Sequence, residues 1–178
     1  MPFWTTKESE PRRNFKFIVS LGNIASEEGG IPGWVVKNVT LPKVTVGEST
    51  THYLNHRFNY PGLVTYNDVS FTVVEAVNPA SSKILFTALQ GSGYQLPSEL
   101  SAAGVPINRA AAVSSLGEIT ITHLGGEDTA DAAGANNSAI YTLKNAWIKD
   151  IEWPQLAYDN EDVSEVKVVL KYDYFELT

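Results

Sequence analysis

The sequence predicts a mainly β fold: an antiparallel β-sandwich or barrel of about seven strands with one flanking α-helix. Three observations carry this. Apolar and polar residues alternate with a period of two along most of the chain, as half-buried strands require. A period near 3.6 is sustained only once, after Asn78. The 178 residues, 43% apolar and 19% charged, suit one folded domain with its own core. Residues 1–178 are therefore read as a single domain, with 1–13 an N-terminal arm and 91–117 and 125–138 long loops.

The elements follow in order. Phe15-Lys16-Phe17-Ile18-Val19 opens the first strand. Trp34 to Thr40 is a second, bounded by Pro32-Gly33 and Leu41-Pro42. Thr51 to Tyr60 alternates throughout, so it reads as one strand. His52, Leu54, His56, Phe58 and Tyr60 then share one face, and Thr51, Tyr53, Asn55, Arg57 and Asn59 the other. Pro61-Gly62 has the residue types of a type II turn, and Tyr66 to Val77 continues as a strand. Asn78-Pro79 supplies a cap and a first-turn proline for a helix whose apolar stripe is Ser81, Ile84, Leu85, Ala88 and Leu89, ended by Gly91. The 91–117 excursion, rich in Gly, Ala, Ser and Pro, has room for a short helix near Asn108 to Val113. Strands follow at Glu118 to Leu124, at Ala139 to Ile151 and, closing the sequence, at Val163 to Leu177.

Composition excludes several functions. There is no cysteine, hence no disulfide framework, thiolate nucleophile or zinc ribbon. The net charge of -7 argues against tight binding of phosphates. The acidic excess lies between Glu118 and Thr178, with twelve acids against four bases. This is either a solvated face or a surface that repels a polyanion or meets a basic partner. No apolar run is long enough for a membrane helix, and Met1 to Glu8 contains no leader-like apolar stretch.

Chemistry-bearing constellations are weak. His52 and His56 have zincin spacing but lack the adjacent Glu, and they lie in a strand pattern. Gly91-Ser92-Gly93 follows a helix rather than a strand, and Asp128 and Asp131 lack calcium-loop spacing. No Gly-x-Ser-x-Gly elbow occurs. No catalytic residue, metal or cofactor is therefore assigned. Trp34 and Trp147 are either sandwich-core anchors or, with Trp153, an aromatic sugar platform. Trp4 stands outside any periodic segment and is a candidate for docking on a neighbour.

Four stretches then resemble the tail tube protein of contractile-tailed bacteriophages. They are Asn14 to Val19, Val39 through Gly62, Thr65 to Val73 with the helix to Leu89, and Leu143-Lys144-Asn145-Ala146-Trp147 through to Tyr174. The strand–Pro-Gly–strand–helix order and the Lys-Asn-Ala-Trp step carry most of it. The resemblance implies a structural virion protein. Its hexameric rings would stack into the inner tube of a contractile tail and form the channel for genome ejection. The implied partners are other copies of itself and the tail sheath, tape measure, baseplate and tail terminator proteins. Phage DNA would be a transiting cargo. By the same analogy, Thr51, Asn55, Asn59, Glu118, Thr120 and Thr122 are lumen-facing candidates. The loop from Lys43 to Thr50, with Lys43, Thr45, Gly47 and Glu48, joins Trp4 as a candidate ring-to-ring contact. Two alternatives stay open: a ring protein of type VI secretion or of an extracellular contractile injection system, and a carbohydrate-binding β-sandwich.

Overall fold

Two four-stranded antiparallel sheets enclose one apolar core, and a long β-hairpin stands outside it. The computed structural model describes residues 11–25, 30–78, 80–96, 106–125, 138–159 and 161–178. Trp4, Pro79 and most of 125–138 lie outside these. Within them are ten strands and two helices, more than the alternation alone suggests.

The first sheet has the order β1 (Phe17–Ser20), β6 (Ile119–His123), β7 (Ala139–Lys144), β10 (Tyr174–Leu177). The second has the order β2 (Val36–Val39), β5 (Val69–Val74), β9 (Glu165–Lys171), β8 (Trp147–Glu152). Alternation explains both. Val69, Phe71 and Val73 face inward on β5, and Val166, Val168 and Leu170 meet them in register on β9. From the first sheet, Val19, Ile119, Ile121 and Leu143 close the same core. The outward rows carry Ser, Thr, Lys and Glu with a few apolar residues such as Ile18, Ile140 and Val169 among them.

Two segments read as single strands are each broken in two. Ala139 to Ile151 bends at Asn145-Ala146, and Val163 to Leu177 bends at Tyr172-Asp173; at each bend the chain passes from one sheet to the other. Such corners are how strands serve both layers of a sandwich. Asn145 takes the left-handed conformation, with φ of 56°. Its side-chain amide donates to the Asp173 carboxylate at 2.7 Å, and the Asp173 backbone N–H donates to the Lys144 carbonyl at 3.1 Å. The two crossings are thus bonded to each other, which gives the Lys-Asn-Ala-Trp step a structural meaning.

Helix α1 spans Ser81–Gly91 and buries Leu85, as the apolar stripe predicts. Its cap differs: Ala80 occupies the N-cap position without a side-chain bond, and Asn78 lies two residues too early. Glu75, at the end of β5, substitutes. Its carboxylate accepts from the Ser82 N–H at 3.1 Å and the Ser82 hydroxyl at 2.6 Å. A carboxylate at free N–H groups also suits the helix dipole. Helix α2 spans Arg109–Leu116; the Asn108 side chain caps it through the Ala110 N–H. It packs on α1, and its Arg109 reaches Asp173. Gly22 and Gly117, both at positive φ, let the turn after β1 press against the end of α2. A Cβ on Gly22 would lie 2.6 Å from the Leu116 carbonyl oxygen.

Candidate functional site

The segment from Val44 to Tyr66 is the main departure from the sequence reading. Among the described residues, β3 (Val44–Tyr53) and β4 (His56–Tyr66) pair only with each other and form a hairpin about 30 Å long at 3.4 Å per residue. The expected loop at Lys43 to Thr50 is strand from Val44 onward. The supposed single strand Thr51 to Tyr60 is folded in half by a two-residue turn at Leu54-Asn55, where Tyr53 and His56 are partners. Pro61-Gly62 is not a turn. It sits inside β4 where the register shifts, and Gly62 passes so close to Gly47 that a Cβ would meet its backbone at 3.1 Å.

The turn overturns the shared faces. Cross-strand partners share a face, so Thr51 lies with Phe58, and Asn59 with Thr50 on the opposite side. Asn55 is in the turn itself. Thr51, Asn55 and Asn59 therefore do not form one polar face. His52 and His56 likewise fall on opposite faces, opposite Arg57 and Tyr53 respectively. No group of three or more His, Asp or Glu among the described residues is placed to hold a metal.

Beyond the register shift the faces differ sharply. One carries Glu48–Pro61, Thr50–Asn59 and His52–Arg57; the other carries Ser49–Tyr60, Thr51–Phe58 and Tyr53–His56, an aromatic stripe in water. At the tip, Leu54 is 83% exposed and holds a φ of 53°. A left-handed L-residue other than Gly or Asn costs about 1–2 kcal/mol. Hairpin turns of this length favour Asn-Gly, which avoids that cost.

A second feature lies at the hairpin's base. The edge strands β1 and β2 flank an open cleft of about 750 Å³ lined by Phe15, Phe17, Trp34, Val39, Leu41 and Ile121, among others. Trp34 is 84% and Phe15 75% exposed, so Trp34 is not a core anchor. Two of the polar side chains in the cleft already have partners: Lys37 bridges Glu165, and His123 Nε2 lies 3.2 Å from the Arg13 carbonyl. Trp147 lines a different cavity, with Ile107 and Arg109, so the tryptophans do not converge on one sugar platform.

The outward face of the first sheet is the third feature. Rows run Ser20–Thr120–Thr142–Glu176 and Ile18–Thr122–Ile140 across β1, β6, β7 and, for Glu176, β10. Thr120 and Thr122 therefore do share a face. Lys144 is held by Glu118 and Glu176, and the Glu118 hydrogen bond foremost raises its pKa. On the outward side of the second sheet, Lys37–Glu165, Lys167–Glu152 and Lys149–Asp68–Lys171 tie the strands. Hydrogen bonds from Lys149 and then Lys171 hold the Asp68 carboxyl below its usual range.

Neither a family model nor a curated protein matches the sequence. Solved structures do. A chain of the sheath–tube complex of an extracellular contractile injection system, in its extended state, superposes with a TM-score of 0.65 at 16% identity, covering 97% of this chain and 94% of that one. A chain of the anti-feeding prophage tube-terminating cap gives 0.64 at 11%, covering 95% and 91%. The SPP1 tail tube gives 0.50 at 14%, covering 94% and 78%. The fold is that of contractile injection system and tail tube proteins. Its structural neighbours are assembly components rather than enzymes. No helix among the described residues is long and apolar enough to cross a membrane.

Proposed function

We propose that the chain is the tube subunit of a contractile tail or injection machine, assembling as hexameric rings stacked into a hollow tube. The hairpin is the observation that carries this. An isolated two-stranded ribbon is marginal in water, and this one exposes aromatic side chains along one face. Such a ribbon gains stability by lying on another subunit. The edges of β1, β10, β2 and β8, which have no strand partner among the described residues, are a second demand for partners, which edge-to-edge closure into a ring meets.

The outward face of the first sheet suits a channel wall. Beside Ile18, Ile140 and Tyr174 it presents the hydroxyls of Ser20, Thr120 and Thr142, and its Lys144 lies between two carboxylates, which blunts its pull on a passing polyanion. Thr120 and Glu118 remain lumen candidates on this argument; Thr122 shares their face but is buried, so its hydroxyl is not offered to a channel. Sheath, tape measure, baseplate and terminator proteins are the proposed partners, and a genome or other cargo the proposed traffic. Negative-stain microscopy over a range of concentrations tests the reading: rings or tubes are expected, and a strict monomer throughout refutes it. Genes adjacent to this one separate a phage tail from an injection system.

A further inference from the structure

Resting on the tube reading, we infer that subunits join tip to root: the Leu54 tip of one hairpin seats in the Phe15–Trp34–Leu41 cleft of a second copy. Three observations lead there. Leu54 is an exposed leucine held at positive φ where an Asn or Gly would sit without strain, so the side chain rather than the turn accounts for its place. Tyr53 beside it is also exposed, giving the tip an apolar end. The cleft offers matching chemistry. Its walls are mainly apolar, its Lys37 and His123 have partners within the chain, and Phe15 and Trp34 stand open to water.

The occupant is another copy for a geometric reason. Leu41 lines the cleft and Val44 begins β3, so the cleft adjoins the base of the hairpin. The tip is about 30 Å away along paired strands. A hairpin cannot bend its own tip back to its own root, so the contact joins two molecules. It is also heterologous, because tip and cleft are different surfaces. Repeated, it propagates as an open stack or closes into a ring.

The area is adequate. Leu54, Tyr53, Phe15 and Trp34, at about 150–200 Å² each, bury on the order of 700 Å². The Phe58–Tyr60 stripe and the opposing cleft wall bring this to about 1,000 Å², where a specific interface becomes stable.

The lack of cysteine makes the test clean. In assembled protein, Trp34→Cys with Leu54→Cys in one chain, oxidised, is expected to give a ladder of covalent multimers on a non-reducing gel. Each single variant is expected to stay monomeric on that gel. A covalent dimer from Leu54→Cys alone means tip-to-tip contact and overturns the inference. So does an intrachain bond of Trp34→Cys with Trp4→Cys, which assigns the cleft to the N-terminal segment. Leu54→Gly relieves the positive φ, so the fold is expected to survive with an unchanged melting curve. The concentration needed for assembly should rise about tenfold or more, as for a lost interface anchor. Assembly of Leu54→Gly at the wild-type concentration overturns the contact while leaving the tube reading intact. Wild-type protein that never assembles removes both.

Discussion

Replacing Thr45–Thr65 with Asn-Gly separates the fold from its assembly. Val44 and Tyr66 are register partners at the base of the hairpin, so a two-residue turn can join them. None of the excised residues is buried, and Tyr66, which packs on Tyr172 and Phe175, is retained. Little apolar burial is lost. Shortening the connection from about 20 residues to two lowers the closure cost by (3/2)RT ln 10, or about 2 kcal/mol. Against this stands the hairpin's own stability, which is near zero for an isolated ribbon. The monomer should therefore be between unchanged and about 2 kcal/mol more stable, a rise of up to about 8 °C in melting temperature. Urea unfolding of dilute protein measures this, and the m-value should barely move because the hairpin is already solvated. Microscopy of concentrated samples should show no tubes. A loss of more than about 2 kcal/mol would refute the reasoning, because the hairpin would then belong to the core.

Other perturbations probe the sandwich. Gly22→Ala places a Cβ within 3 Å of three backbone atoms at a φ of 57°, and should cost about 3 kcal/mol or more by thermal denaturation. Tyr172→Phe removes a buried hydroxyl that has no hydrogen-bond partner among the described residues, and should stabilise by about 1 kcal/mol; a loss of that size would reveal a partner. Asp68 is held below its usual range, so its contribution is fully present above about pH 4 and is lost as pH falls through the depressed folded value. Asp68→Asn should flatten the acid limb of the stability–pH curve, and an unaltered limb would count against the Lys149–Asp68–Lys171 bridge.

What could be read from residues alone was what depends on burial. β1, β5, β6 and the first half of the closing strand have one face in the core, so alternation marks them. The hairpin has no buried face, and its turn, Leu54-Asn55, lacks the usual glycine. Alternation carried straight through a two-residue turn assigns the far strand to the wrong side, which is why Thr51 and Asn59 separated. Pro61-Gly62 suggested a turn because a register shift needs the same residue types. The corners at Asn145 and Tyr172-Asp173 were hidden for a related reason. The chain changes sheet without leaving the core, so the apolar period continues across the bend. Trp34 was misplaced because bulk suggests burial, whereas here the ring stands largely in water.

The root of the hairpin has a mechanical consequence. Tyr66 lies against Tyr172, where the chain leaves the second sheet, and against Phe175, where it enters the first. Asn145 and Asp173 bind the other crossing to the same spot. A push along the hairpin enters both sheets at once, at the place where they are stitched together. The layers then share the load instead of sliding over one another. Under the proposed tube reading, that junction would let the subunit act as a strut when loaded end-on.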